Sequence, residues 1–248
     1  MAKIGIIGGS GLENLDFFEQ SKKIKAKTKY GAPSSELLCG TIGKNEVVIL
    51  SRHDKNHTIT PSKINNRANI MALKEAGCTH IIATTACGSL QGHIHRGDIV
   101  FLNQFIDFTK HRETTFFDEF GNDELNHTPM ASPFDEYLRT NLIAAASKIK
   151  IRYHIEGTVV TIEGPRFSTQ AESRMFKLWG ADVINMTTAP EAILANEIGI
   201  PYAAIALSTD YDCWKVDENA VTWEEVLAVF KSNVENLEQL LLAAVDSI

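Results

Sequence analysis

Short apolar runs alternate with helix-periodic stretches along most of the chain. Residues 3–7 form the first run, which stops at Gly8-Gly9-Ser10-Gly11. Further runs at 46–50, 80–83, 98–102, 157–162, 181–184 and 202–207 have strand length and read as buried strands. Pro61 opens a predicted helix in which Ile64, Ala68, Met71 and Ala72 recur at helical spacing, and Gly77 closes it. Helices are also predicted over 135–148, 169–178 and 223–244, and between the two runs ending at 184 and 207. Residues 110–133 are charged, rich in Phe, His and Asp, and aperiodic. They are predicted to form a long loop, of a length that is usually functional or partly mobile. Alternating strand and helix argue for one α/β domain over 1–248, a three-layer α/β/α arrangement of a mainly mixed sheet flanked by helices.

Composition narrows the function. There are 24 Lys and Arg against 31 Asp and Glu, a formal charge of −7. That disfavours a general nucleic-acid binder, which needs a basic face, but leaves room for a small anion held by a local cluster. Cys39, Cys78, Cys87 and Cys213 form no CxxC pair. The opening residues read as a first strand rather than a secretory leader, so reduced thiols and a cytoplasmic location are expected. No apolar run approaches the roughly 20 residues of a membrane span.

The chemistry-bearing residues gather at the ends of the apolar runs. In an open α/β sheet, ligands bind beyond the carboxyl ends of the strands. Ser10 and its glycines offer a hydroxyl and close backbone amides, without the spacing of a dinucleotide fingerprint or a P-loop. A plain tight turn also explains them. Arg52-His53 follows a second run, and an Arg fork suits phosphate oxygens as well as a surface ion pair. Thr84-Thr85-Ala86 follows a third. If they converge, these residues make a phosphate-sized pocket of positive potential. Glu163-Gly164-Pro165-Arg166-Phe167-Ser168 joins a strand to a helix through a rigid turn. There Phe167 can stack on a flat ring and Ser168 can bond its edge, or Phe167 can simply fill the core. Met186 suits a sugar face or a core gap. Asp210 and Asp212, one residue apart, point to one side of an extended segment, or form a solvated acidic turn. His93 and His95 flank one residue, yet no carboxylate or cysteine pattern completes a metal set.

Gly8-Gly-Ser-Gly-Leu12, Tyr30-Gly-Ala-Pro-Ser34, Arg52-His53, Thr84-Thr-Ala-Cys-Gly-Ser89, Gln104-Phe-Ile-Asp107, Thr161-Ile-Glu-Gly-Pro-Arg-Phe-Ser168, Gly180-Ala-Asp-Val-Ile-Asn-Met-Thr-Thr188 and Ser208-Thr-Asp-Tyr-Asp-Cys-Trp214 occur in that order. Together they resemble the methylthioadenosine phosphorylases, in the trimeric branch of the purine nucleoside phosphorylase family. The likeness runs in register to about Trp214 and more loosely beyond.

The resemblance implies a pentosyltransferase that uses inorganic phosphate as co-substrate, with no cofactor or metal. It cleaves 5′-methylthioadenosine to adenine and 5-methylthioribose 1-phosphate. Ser10, Arg52, His53, Thr85, Ala86 and Thr187 are implied phosphate ligands, with Thr187 also reaching the ribose hydroxyls. Met186 is implied to touch the ribose, Phe167 the purine face and Ser168 its edge. Asp210 and Asp212 are implied to bond N7 and the 6-amino group, with Asp210 the catalytic acid. His127 is implied to reach the 5′ group in the adjoining subunit's site, hence a homotrimer or a dimer of trimers. Trp223 stands where animal members usually carry a smaller Val, and is expected to reshape the pocket. Animal members continue past the position of Ile248 with a tail that helps wall the 5′ pocket, so a differently built wall is expected. Broader purine nucleoside phosphorolysis, on adenosine, inosine or methylthioinosine, is the alternative. A nucleoside hydrolase or a non-catalytic nucleotide-binding module fits the motifs less well.

Overall fold

The computed structural model describes residues 2–8, 21–121, 127–215, 217 and 222–248. The sheet is organised around β5 (His80–Ser89). On one side of it lie β1 (Lys3–Gly8) and then β4 (Asn45–Ser51), both parallel. The antiparallel strands β3 (Leu37–Ile42) and β2 (Lys22–Ile24) finish that edge. Along its other side β5 pairs in parallel with β11 (Tyr202–Asp210). Beyond β11 come β6 (Ile99–Phe101), antiparallel, and β8 (Tyr153–His154), parallel to β6. The last two residues of β5 take a third neighbour: Gly88 and Ser89 pair antiparallel with Ile184 and Val183 of β10 (Val183–Asn185). From β10 the sheet continues in parallel through β9 (Thr158–Ile162) to β7 (Gln104–Phe108). The sheet therefore branches at the carboxyl end of β5, and the branch point opens a cleft.

Alternation along the strands builds the three layers. Ile4, Ile6, Val47, Ile49 and Ile82 join a core with α2 (Glu136–Ala146) and α5 (Trp223–Ser247). Ile7, Val48, Leu50, Ile81 and Ala83 join the opposite core with α1 (Asn66–Glu75) and α4 (Thr188–Glu197). A third cluster holds α3 (Gln170–Leu178) through Phe176 against Val160, Ile162 and Ile184. Strand side chains that point to opposite faces with period two produce this division.

Several boundaries differ from the sequence expectation. The strand expected to end at Ala83 runs on to Ser89, because β11 pairs with it as far as Gly88 and β10 pairs with Gly88 and Ser89; Thr84, Thr85 and Ala86 thus lie inside a strand. The helix expected to open at Pro61 is a short 3-10 turn, Pro61–Lys63, followed by an extended Ile64. The α-helix begins only where Asn65 caps it, its side-chain oxygen accepting from the Ala68 amide at 3.0 Å. β2, β3, β7 and β8 carry no clean alternation in sequence, and pairing with neighbouring strands makes them strands. Within 110–133, the described residues contain no named helix or strand, as expected. The loop is nonetheless tied down: Arg67 grips Asp118 through two bonds of 2.9 Å, and Glu197 accepts from the Phe116 amide at 2.7 Å.

Candidate active site

A pocket of about 720 Å3, including its open mouth, lies at the sheet's branch point. Residues from β5, β10, β11, the segments after β4 and β9, and the first turns of α4 and α5 line it. It brings together Arg52, His53, Thr85, Ala86, Phe167, Ser168, Met186, Thr187, Asp210, Asp212 and Trp223. Ser10 lies outside the described residues. His127 does not line this pocket; it is exposed, with its ring 5.4 Å from that of Phe120.

One corner suits an anion. Thr187 is the N-cap of α4, and its side chain makes no capping bond. The positive end of the helix therefore faces the pocket beside a hydroxyl. Thr85 stands next to it on β5. Asn185 locks the corner: its amide nitrogen donates to Thr85 Oγ1 at 3.2 Å and Thr188 Oγ1 at 2.5 Å, while its oxygen accepts from Thr161 Oγ1 at 2.9 Å. His53 Nδ1 donates to the Ile59 carbonyl at 2.8 Å, which fixes the plane of the ring.

Arg52 corrects the expectation of positive potential. It is 1% exposed, and its charge is matched by a fully buried Glu191 in α4. Arg52 Nε and Nη2 donate to the two Glu191 oxygens at 2.5 and 2.9 Å, and Nη1 donates to the Thr84 carbonyl at 2.8 Å. Tyr202 also donates to Glu191, at 2.9 Å. Arg52 thus enters the corner as half of a neutral pair that joins β4 to α4. Sequence reading passed over Glu191. Its signal was a lone carboxylate in the apolar run Ala189-Pro-Glu-Ala-Ile-Leu-Ala195, and such a charge is almost never buried unless paired.

A second part of the lining is acidic. Asp210 and Asp212 are 6% and 5% exposed. They do face the same pocket, but not by the extended geometry expected. A register shift interrupts the pairing between Ser208 and Asp210, and Asp212 adopts a left-handed conformation with φ 48°. The turn lets the Asp212 amide donate to Asp210 Oδ1 at 2.8 Å. Gly88 leaves them room: a Cβ there would lie 2.8 Å from Asp210 Oδ1 and would displace the carboxyl. Burial pushes the Asp210 carboxyl above the ordinary carboxylate range, against hydrogen bonds from Thr209 and the Asp212 amide and the attraction of Arg96. Burial likewise raises Asp212, opposed first by Ser173 and reinforced by the negative charge of Asp210. The Ser168 and Ser173 hydroxyls sit beside Asp212 without closing bonds of normal geometry. Thr209 Oγ1 lies 2.7 Å from Asp210 Oδ2 and 3.1 Å from the Cys87 carbonyl. A hydroxyl has one proton. If it goes to the carbonyl, a proton on Asp210 completes the chain.

Phe167 and Met186 add apolar lining. Phe167 is 40% exposed, so it is a pocket wall and not a core residue. The segment carrying Phe167 and Ser168 is held by a capping box at Thr169 and by Arg166, whose fork meets Glu172 in two bonds of 2.7 Å. Gly164, at φ 65°, leaves room for Met186, whose sulfur would lie 2.5 Å from a Cβ there. Among the described residues, no group of three or more His, Cys, Asp or Glu side chains is arranged to hold a metal.

The phosphorylase superfamily profile matches residues 3–246. The chain is also 52% identical over 251 residues to an S-methyl-5′-thioadenosine phosphorylase of Xenopus tropicalis, covering 99% of this chain and 89% of that one. This protein belongs to the phosphorylase superfamily, in its S-methyl-5′-thioadenosine phosphorylase group. A second S-methyl-5′-thioadenosine phosphorylase, from Ciona intestinalis, is 51% identical over 249 residues, with the same coverage. The methylthioadenosine phosphorylase of Schistosoma mansoni, solved in complex with adenine, superposes with a TM-score of 0.93 at 44% identity, over 99% of this chain and 91% of that one. A single-residue variant of the adenosine/methylthioadenosine phosphorylase from that organism, solved with methylthioadenosine, has a TM-score of 0.90 at 44% identity, over 99% and 91% of the two chains. Shared family membership accounts for the single mixed sheet flanked by helices.

Proposed function

We propose that this enzyme cleaves 5′-methylthioadenosine with phosphate, releasing adenine and 5-methylthioribose 1-phosphate. One observation carries the reading: a hydroxyl-rich anion corner and a pair of buried carboxyls line one pocket. Phosphate sits at Thr85, Ala86, Thr187 and His53, with Arg52 behind them and Ser10 as a further ligand. A phosphate oxygen attacks C1′ while the C1′–N9 bond breaks and its electron pair moves into the purine. The ribose gains oxocarbenium character, and the phosphate charge held beneath it stabilises that state. Asp210 gives its proton to N7, so the base leaves neutral. Burial, which keeps that proton on the acid, is the means by which a carboxyl serves as a general acid near neutrality. Asp212 accepts from the 6-amino group, Ser168 borders the ring edge, Phe167 packs on its face and Met186 on the ribose.

The relatives named for S-methyl-5′-thioadenosine phosphorolysis, and the one solved with adenine, support this substrate class. A 6-aminopurine is preferred, because a carboxylate accepts from an amine and repels a carbonyl oxygen. His127 is proposed to complete the site of an adjoining subunit in a homotrimer, since it is exposed and lies off its own pocket. Four free cysteines suit a reducing, cytoplasmic setting. The deciding experiment assays methylthioadenosine, methylthioinosine, adenosine and inosine with and without phosphate. Phosphate-dependent adenine release, fastest from methylthioadenosine, is expected. Base release independent of phosphate, or faster use of methylthioinosine, contradicts the reading.

A further inference from the structure

One buried polar group beside the acidic lining takes no part in bond cleavage. Ser173 lies inside α3, fully buried, with its hydroxyl beside the Asp212 carboxyl. Its Oγ makes no hydrogen bond of normal geometry, and neither does Ser168 Oγ. An unpaired buried hydroxyl is costly, because it has left water without gaining a partner. The fold nonetheless fixes it there. The capping box at Thr169 sets the start of α3, and Phe176, about one turn beyond Ser173, packs with Val160, Ile162 and Ile184. The two acids differ in the hydroxyl beside them. Thr209 Oγ1 has a second acceptor in the Cys87 carbonyl at 3.1 Å, so it can leave Asp210 to keep a proton of its own. Ser173 has only weak competition for its proton. The Cys213 thiol is also beside it, but sulfur is a weak acceptor, and that thiol points its own hydrogen at the Ser168 carbonyl, 3.2 Å away. The titratable groups bearing on Asp212 are Asp210, which opposes its charge, and Cys213, whose thiol is pushed up to about 11 by burial and is neutral. Glu172 of α3 bears on Cys213 and is paired with Arg166, while Arg96 and Glu225 act on Asp210 with opposite signs. None of these groups sets a cation against Asp212, so hydroxyl and amide donors are left to hold its charge.

We propose that Ser173 is a positioning residue that donates to Asp212 and keeps it a charged acceptor, so that the site selects a 6-amino over a 6-oxo purine. The inference rests on the phosphorolysis reading and adds the group that gives the two acids different roles. A hydroxyl donating to a carboxylate favours the charged form, whereas burial favours the neutral one. Without the hydroxyl, Asp212 takes up a proton more readily. A protonated carboxyl has an O–H that can donate to a 6-carbonyl, and the discrimination between the two purines weakens. The same donation gives the buried Ser173 hydroxyl its partner.

The test compares kcat/KM for methylthioadenosine and methylthioinosine at saturating phosphate in wild type, Ser173→Ala and Ser173→Thr. Alanine is the best helix former, and here it deletes only an unpaired hydroxyl, so Ser173→Ala is expected to fold. Its preference for methylthioadenosine over methylthioinosine is expected to shrink about tenfold or more, the scale of one hydrogen bond to a charged group. Ser173→Thr restores a hydroxyl and is expected to stay close to the wild-type ratio. A ratio unchanged in Ser173→Ala, or an equal fall on both substrates, overturns the assignment. The same loss in both variants also overturns it, since packing rather than the hydroxyl would then be the cause. A wild type that releases no base from methylthioadenosine with phosphate overturns the phosphorolysis reading itself, and the role of Ser173 with it.

Discussion

Asp210 concentrates the conflict between stability and chemistry in a single side chain. It is buried, it accepts from the Asp212 amide and Thr209, and burial holds its titration above the ordinary range. On the proposed mechanism, Asp210→Asn removes the proton given to N7 while the shape remains. Turnover of methylthioadenosine is expected to fall by about 100-fold or more, the usual scale for a lost general acid. Full activity in that variant would remove Asp210 from the mechanism. The raised titration also has a consequence for stability. The unfolded chain gives up this proton near the ordinary carboxylate range, whereas the folded chain keeps it to higher pH. Stability from this group is thus complete below the unfolded value and is lost as pH rises through the folded one. Asn does not titrate. The melting temperature of Asp210→Asn relative to wild type should therefore climb as pH rises above about 4. Parallel melting curves across that range would show that the carboxyl is not perturbed.

At the scale of elements, α4 does two jobs at once. Its N-terminus faces the anion corner, and three residues inside the helix Glu191 holds Arg52 against β4. Removing one partner of a buried ion pair strands the other. Glu191→Ala is expected to lose about 3–5 kcal/mol of stability in urea unfolding, and to raise KM for phosphate as Arg52 loses its anchor. A loss below about 1 kcal/mol, the range of exposed pairs, would mean that the pair is screened by solvent. Thr187→Val keeps the shape of the N-cap and deletes its hydroxyl. KM for phosphate should rise about tenfold, equivalent to about 1.4 kcal/mol, close to the lower end of the range for one hydrogen bond to a charged group. A rise confined to the nucleoside KM, with KM for phosphate unchanged, would instead place the hydroxyl on the ribose alone. These elements also show why sequence patterns stop short. The period of α4 marks it as a helix, but the partner of a buried charge lies 139 positions away. The length of β5 is likewise set by β11, its neighbour across the sheet.

At the scale of the whole molecule, the pocket is a seam between parts. Six segments reach it, and His127 does not reach it from within its own chain. If His127 acts across a subunit boundary, two inactive chains can repair each other. Co-expressed His127→Ala and Asp210→Asn chains should be more active on methylthioadenosine than either alone. The mixture contains sites in which an intact Asp210 meets a neighbour's intact His127. Light scattering should give three copies per particle, or six for a dimer of trimers. A single-copy mass, or no gain on mixing, would place His127 outside the reaction. Among the described residues, no helix is long and apolar enough to cross a membrane.

The sequence by itself determined the strand and helix alternation, the mixed α/β class and the residue types gathered at the strand ends. These are local properties: hydrophobic period, turn chemistry and motif order are written along the backbone. It also marked Asp210 and Asp212 for one side of a pocket, although a bulge and a left-handed turn bring them there. The tertiary structure alone decided that Arg52 is neutralised by Glu191, that Asn185 ties Thr85 to the start of α4, and that Ser173 lies beside Asp212. Each is a contact between residues far apart in the chain. Burial then sets the charge state of each group, and burial is known only once the layers have closed over it.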